Sequence, residues 1–445
     1  MPAKNIPLQR FALSETLLTS AKAVQAVRSG RSLSDALAMT PSELRAAAQS
    51  ISFHTMRRLG LANEIQRLLV PRTPPNPLFN ALLQVSLVLL DTAMEADGGE
   101  ANAFWPVYAV HTVVDQSVQA ADAKSLRSYK KLLNAALRRF TRERPDILTQ
   151  ARKNPVARWN YPDWWIQHVQ RAYPNSWEAL LNAGDQPGPM TLRVNRRLVS
   201  MVQMEACLTG AGIGFSRVGT AGLILTQARP VHEIPGFDEG WWSVQDAAAQ
   251  MAADILRPFD GARVLDACSA PGGKTAHLLE SSQLELWALD NDAARLERVG
   301  QNLDRLRLRN DDVHLRCADA ADTGTWWDGK PFDLVLADVP CTASGVVRRH
   351  PDIRWLRRQT DVARTAALQR KIVSALWKTV KPGGRLLYAT CSIFPQEGEL
   401  QAQSFLKAHG DATRLDAPGQ ILPLPDADGV ARYDGFFYAL FAKQA

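Results

Sequence analysis

From Ser243 to the C-terminus, short apolar runs alternate with amphipathic stretches, and this rhythm constrains the fold more than any other feature. Strand candidates lie at 262–267, 284–290, 312–317, 332–337 and 385–390. Helical stretches such as NDAARLERVGQNLDRL and RTAALQRKIVSALWKTV fit between them. Strands alternating with helices in this way build an open, mostly parallel sheet. Ligands of such sheets bind beyond the carboxyl ends of the strands. The residues that carry chemistry should therefore gather where these runs stop.

The rest of the chain reads differently. Residues 1–145 are helical in pattern: SETLLTSAKAVQAVRSG has apolar spacing near 3.6, with Ser14 as N-cap and Gly30 as stop. Pro145 and Pro155 bracket a linker, followed by a Trp-rich helix in YPDWWIQHVQRAY. TLRVNRR, SMVQMEACLTGAG and GLILTQA then read as strand, helix and strand, a small α+β module. Three domains follow, at 1–145, 146–240 and 241–445, and 445 residues give each a core.

The net charge is +7, and its distribution is more informative than its total. Lys124–Arg158 holds eleven Lys/Arg against two acids, and Val346–Lys371 holds eight against two. A single run is usually a solvated face. Two dense clusters point to a nucleic-acid footprint. In the second cluster Arg348, Arg349, Arg354 and Arg357 are the candidates for holding phosphates, whereas Trp355 is as readily a core residue as a base-stacking one.

The first eighteen residues lack a basic-then-apolar leader pattern, and apolar runs such as LLQVSLVLL are too short to span a bilayer. A soluble cytoplasmic protein, with no membrane partner, is expected. The five cysteines are Cys207, Cys268, Cys317, Cys341 and Cys391. None is paired as CxxC and no His stands at zinc-site spacing, so no metal site is expected. Free thiols in a reducing compartment fit the odd count. Cys207 and Cys317 read as packing residues.

VLDACSAPGGKTAHLLE follows the first strand. Its small residues and glycines allow a sharp turn into a helix whose free N–H groups favour a polar ligand. It is not G-x-G-x-x-G, and a P-loop would need glycine where Cys268 stands. This first turn disfavours a dinucleotide dehydrogenase. Asp290 and Asp319 close the next two strands. A lone Asp there is more often a turn former or helix cap. Two in succession after a Gly-rich turn match an adenosine site, with Asp290 on the ribose hydroxyls and Asp319 on the adenine amino group.

Two further strands end on cysteines, in FDLVLADVPC and in LLYATCS. Core packing, a disulfide, metal ligands or chemistry are all possible for Cys341 and Cys391 taken singly. Their joint position at strand ends beside Asp338 favours chemistry.

Taken together, DACSAPGGKT, ALDND, DVPCTASGVVRRHPDIRW, LLYATCSIFPQE and DGFFYALF resemble the Sun/Fmu family of bacterial RNA cytosine-5 methyltransferases. PGFDEGWWSVQDAAAQ and MTLRVNRR extend the resemblance upstream, and the N-terminal part is similar to that family's NusB-like helical domain. After Pro395 many relatives carry Glu-Glu-Asn where this chain has Gln396-Glu397-Gly398. The resemblance implies an α/β chain: a Rossmann-like methyltransferase domain preceded by an all-helical NusB-like RNA-binding domain and the small α+β module. It implies S-adenosyl-L-methionine held by Cys268, Ser269, Ala270, Pro271, Gly272, Gly273, Lys274, Asp290, Asp319 and Asp338. It further implies Cys391 as nucleophile, Cys341 as the thiol that releases the product, and Asp338 at the cytosine edge. The implied partner is 16S ribosomal RNA, and a monomer is expected. Two other readings stay open: the same chemistry on tRNA or another RNA, and a non-catalytic RNA-binding assembly factor.

Overall fold

The computed structural model describes residues 12–72, 74–99 and 104–445, so most of the stretch judged for a leader pattern lies outside the described residues. The chain forms two compact units, Met1–Pro187 with Arg349–Arg357, and Gly188–Arg348 with Arg358–Ala445.

The first unit is helical around one apolar helix, Pro77–Asp97. Asn76 caps it by accepting the Phe79 N–H, and Pro77 occupies the first turn, where its missing N–H costs nothing. This helix is long and apolar enough to cross a membrane, with mean hydropathy 1.4, but 78% of that stretch is buried inside the unit. Its buried acid, Asp91, is paired with Arg58 at 3.1 Å and Arg144 at 2.7 Å. Arg144 therefore faces inward, although it belongs to the first basic cluster.

The helix Leu13–Arg28 starts after Ala12 rather than at Ser14, and Gly30, at φ 95°, follows its end. Pro145 does not end a helix. Lys130–Ala151 runs through it with a kink at Glu143, because Ile147, Leu148 and Ala151 beyond the proline bury in the same core as Leu133 and Leu137 before it. A boundary at 145 would split this helix, and residues 146–187 group with the helical unit. Trp165 is fully buried, as the packing reading of the Trp-rich helix expects.

The segment Arg349–Arg357 corrects the phosphate-binding reading of Arg354. Its guanidinium is fully buried. It pairs with Asp185 at 2.6 Å, donates to the carbonyls of Asn160 and Gly184, and lies 3.9 Å from the Tyr161 ring centroid. A fully buried guanidinium held on three acceptors in this way presents nothing to a phosphate at the surface. Trp355 donates its indole N–H to the Met56 carbonyl and packs against the helical core.

The second unit contains two sheets. Strands β1 (Thr191–Val194), β2 (Phe215–Val218), β3 (Gly222–Leu225) and β4 (Trp242–Val244) form an antiparallel sheet in the order β2-β3-β1-β4. The helix Met201–Gly210 enters it through a capping box at Ser200 and Gln203. Strands β5 (Arg263–Asp266), β6 (Glu285–Asp290), β7 (Val313–Cys317), β8 (Phe332–Asp338), β9 (Val380–Thr390), β10 (Ala412–Ile421) and β11 (Phe436–Lys443) form the larger sheet. Its order is β10-β11-β9-β8-β5-β6-β7, with β5 to β9 parallel and β10 and β11 antiparallel at one edge.

The expected rhythm is present, and the antiparallel pair is an addition to it. Leu334 and Leu336 point into one apolar cluster and Val335 and Ala337 into the other, so β8 is covered on both faces. Cys317, on the edge strand β7, is exposed rather than packed, and Cys207 is half-buried.

Arg354→Ala strips the charge partner from Asp185, whose side chain keeps 29% of its surface in water. The expected cost is about 3 kcal/mol, the low end for a broken buried pair. Urea unfolding measures it. A phosphate-binding arginine would instead lose RNA affinity with stability unchanged.

Candidate active site

Parallel pairing brings the ends of β5, β6, β8 and β9 to one edge of the sheet. The β5 end leads into the Gly-rich turn. Asp266 is buried there and accepts the Thr275 hydroxyl at 2.7 Å. Burial pushes its carboxyl up to about 7; the Thr275 hydrogen bond opposes this, and the Asp338 charge adds to it. Gly272, at φ 96°, turns the chain into the helix Gly273–Ser281. A Cβ on Gly272 would stand 3.1 Å from Val299, tight against the neighbouring helix.

The Asp-rich strand ends resolve individually. Asp292 caps the helix Ala293–Arg305 by accepting the N–H groups of Ala294 and Arg295. Asp290 is thereby spared that task. It is buried, and its carboxylate accepts Ala270 N–H at 3.2 Å and Asp292 N–H at 3.0 Å. A carboxylate has about four acceptor positions, which leaves room for ligand hydroxyls. Asp319 is exposed and accepts the Ala321 N–H at 2.9 Å, a turn-forming contact.

The turn suits an adenosyl ligand on its own chemistry. Ser269 Oγ is buried with no hydrogen-bond partner among the described residues, beside the Asp290 carboxylate that grips the turn. Cys268 is half-buried, and its thiol is pushed up by burial and then by the Asp338 charge, away from the thiolate form.

Strands β8 and β9 set the two cysteines. Asp338 pairs with Ala389 across the ladder, so Cys341, three residues on, and Cys391, two residues on, emerge together. Their sulfurs are 3.4 Å apart. Both are free thiols and half-buried. Lys274, from the Gly-rich turn, pairs with Asp338 at 2.7 Å. Burial opposes its charge, but Asp338, and to a lesser extent Cys391 and Asp266, carry the ammonium above its ordinary range. The Cys341 thiol is pushed well up by its hydrogen bond to Cys391, by burial, and by the charges of Cys391 and Glu397.

The loop after Cys341 closes over Cys391. Gly345 N–H donates to the Cys391 carbonyl at 2.9 Å, and Gly435 N–H donates to the Gly345 carbonyl at 2.9 Å. A Cβ on Gly345 would stand 2.0 Å from the Gly435 carbonyl oxygen, so both chains need glycine. This accounts for the DG of DGFFYALF. The Asp434 beside it pairs with Arg348, which also lies 4.0 Å from Asp246. Arg348 is therefore a buried ion-pair residue and not a phosphate ligand, which corrects that expectation. Arg349 and Arg357 are half-buried in the first unit.

Sequence reasoning missed two residues. Arg193, on β1, is fully buried, pairs with Glu280 at 2.7 Å, and donates to the Gly273 carbonyl at 2.6 Å at the head of the turn's helix. Its only local signal was an Arg between Leu192 and Val194. Glu397 is the second; it closes the LLYATCSIFPQE motif and keeps the family's Glu between Gln396 and Gly398, where this chain departs from the pattern.

Residues 253–442 match the family model for 16S rRNA methyltransferase RsmB/F, and residues 161–232 match the ferredoxin-like domain of RsmF/B-like methyltransferases. Ribosomal RNA small subunit methyltransferase B of Vibrio cholerae is 39% identical, over 94% of this chain and 95% of its own. The Pseudomonas putida protein of the same name is 40% identical, over 96% and 98%. The crystal structure of PH0851 superposes with a TM-score of 0.76 at 22% identity, over 97% of this chain and 99% of that one. The fold is that of a Rossmann-like methyltransferase. The chain belongs to the RsmB/F family of 16S rRNA methyltransferases.

The raised Asp266 carboxyl gives a signed prediction. Its ordinary value is 3.8, so between about pH 4 and 7 the folded state binds the proton more tightly and stability falls as pH rises. Asp266→Asn removes this loss. Relative to wild type the variant should gain stability on the order of 3 kcal/mol from pH 4 to 8, by urea unfolding at each pH. Equal pH slopes would contradict the assignment.

Proposed function

We propose that this protein methylates carbon 5 of a cytosine in 16S ribosomal RNA through a covalent Cys391–cytosine intermediate. The observation that carries the reading is the pair of thiols 3.4 Å apart, with Lys274, paired to Asp338, interacting with Cys391 and Glu397 interacting with Cys341. S-adenosyl-L-methionine supplies the methyl group when bound, held by the 268–274 turn, Asp290, Asp319 and Asp338.

The two thiols are not equivalent. Lys274, whose ammonium interacts electrostatically with Cys391, is the cation at the nucleophile. Cys341 is held as a thiol by Cys391, burial and Glu397. Carbon 5 of cytosine is a weak nucleophile. Cys391 Sγ adds to carbon 6 and pushes electron density onto carbon 5, which takes the methyl group. Once Cys391 is bonded to carbon 6, Cys341 gives its proton to solvent water, and the resulting thiolate removes the carbon 5 proton. The carbon 6–sulfur bond then breaks, restoring the aromatic ring and releasing Cys391. Asp338 holds the amino edge of the base during both steps.

Attack at carbon 6 requires an unstacked base, so the target is single-stranded or flipped out. Lys131, Arg138, Arg142, Arg152 and Lys153 are exposed on the helical unit and supply the RNA-binding charge, together with Arg349 and Arg357. A cytoplasmic monomer fits this role.

Labelled S-adenosyl-L-methionine and unmodified 16S rRNA test the assignment. Wild type should transfer label to cytosine carbon 5. Cys391→Ala should be inactive and trap no RNA. Cys341→Ala should accumulate a denaturation-resistant protein–RNA adduct. An adduct with Cys391→Ala instead would reverse the roles, and label on tRNA alone would overturn the substrate.

A further inference from the structure

Glu397 is fully buried at the base of both cysteine loops. Its carboxylate accepts five hydrogen bonds and touches neither sulfur. Oε1 accepts Thr342 N–H at 2.9 Å, the Thr365 hydroxyl at 2.6 Å and the Gln369 amide at 3.2 Å. Oε2 accepts the Thr342 hydroxyl at 2.5 Å and the Ser392 hydroxyl at 2.7 Å. Thr342 follows Cys341 in sequence, and Ser392 follows Cys391. One buried carboxylate thus grips the residue next to each thiol.

The contacts extend the grip. Ser344 and Ser392 hydroxyls are 2.9 Å apart, Ile393 N–H donates to Ser344 Oγ, and Phe394 N–H donates to Ser392 Oγ. The Glu397 backbone carbonyl accepts the Tyr388 hydroxyl at 2.7 Å and the Thr390 hydroxyl at 3.2 Å, which fixes the residue to the end of β9. All five partners of the carboxylate are donors, a demand only an acceptor with several lone pairs meets. Burying a carboxylate is costly unless hydrogen bonds replace its water, and here five do.

We propose that Glu397 is the positioning residue that sets the spacing of the Cys341 and Cys391 thiols, an inference that rests on the two-thiol reaction proposed above. Glu397→Gln puts an amide donor among donors. One of the two loops must then shift, and a displacement near 1 Å costs about 100-fold in rate.

The test uses the full chain and two readouts. The first needs neither RNA nor cofactor: dibromobimane bridges neighbouring thiols, and the Cys341–Cys391 product is mapped by mass spectrometry. The second is kcat, KM and adduct yield with 16S rRNA. Glu397→Gln should bridge at least about tenfold more slowly, while single alkylation of Cys391 changes by less than about threefold. It should lose about 100-fold in kcat with KM for S-adenosyl-L-methionine nearly unchanged, and accumulate adduct as Cys341→Ala does. Thr342→Val and Ser392→Ala each cut one arm and should show the same losses in smaller degree, which keeps the test alive if Glu397→Gln does not fold. Wild-type bridging rate and kcat in Glu397→Gln, or in both single-arm variants, would overturn the proposal. If wild type bridges readily but methylates no cytosine, the proposed reaction fails, and the bridging data alone decide the role of Glu397.

Discussion

The parallel pairing of β8 with β9 is the constraint on which the site depends. With Asp338 opposite Ala389, two strand ends deliver cysteines fifty residues apart in sequence to one place. A one-residue slip of either strand would turn every side chain to the opposite face, so the apolar cover on both faces of β8 also fixes the thiol register. The loops beyond the strands are then locked by backbone contact, since Gly345 and Gly435 approach too closely for any side chain.

Charge placement follows from that frame. Lys274 enters from the turn after β5 and meets Asp338 at the end of β8, while Glu397 lies under the two loops. Glu397, gripped by donors, adds its charge to the Cys391 contact and the burial that push the Cys341 thiol up. Arg193 serves the same frame from the smaller sheet: it bonds the Gly273 carbonyl and pairs with Glu280, both on the helix that carries Lys274.

Much of this was legible in sequence because it is local. Apolar runs that stop at Asp266, Asp290, Asp338 and Thr390 mark the functional edge of the sheet, and the Gly-rich turn announces itself by composition. The antiparallel strands β10 and β11 were less legible. DGFFYALF was readable as a motif, but its pairing with β9 depends on partners far away in the chain. The boundary at 145 failed for a similar reason: a proline signals a break locally, whereas the apolar residues beyond it continue the packing.

The arginines show most clearly where local reading stops. Arg348, Arg354 and Arg193 look alike in sequence as basic residues near functional motifs, and Arg348 and Arg354 stand in a run that reads as a polyanion footprint. Their partners Asp434, Asp185 and Glu280 lie 86, 169 and 87 positions away. A charge count cannot distinguish a guanidinium that has such a partner from one that faces water, yet the two have opposite consequences. The first is spent on the fold, and the second keeps its charge in water. The buried members of the second basic run belong to the fold, Arg354 within the first unit and Arg348 within the second.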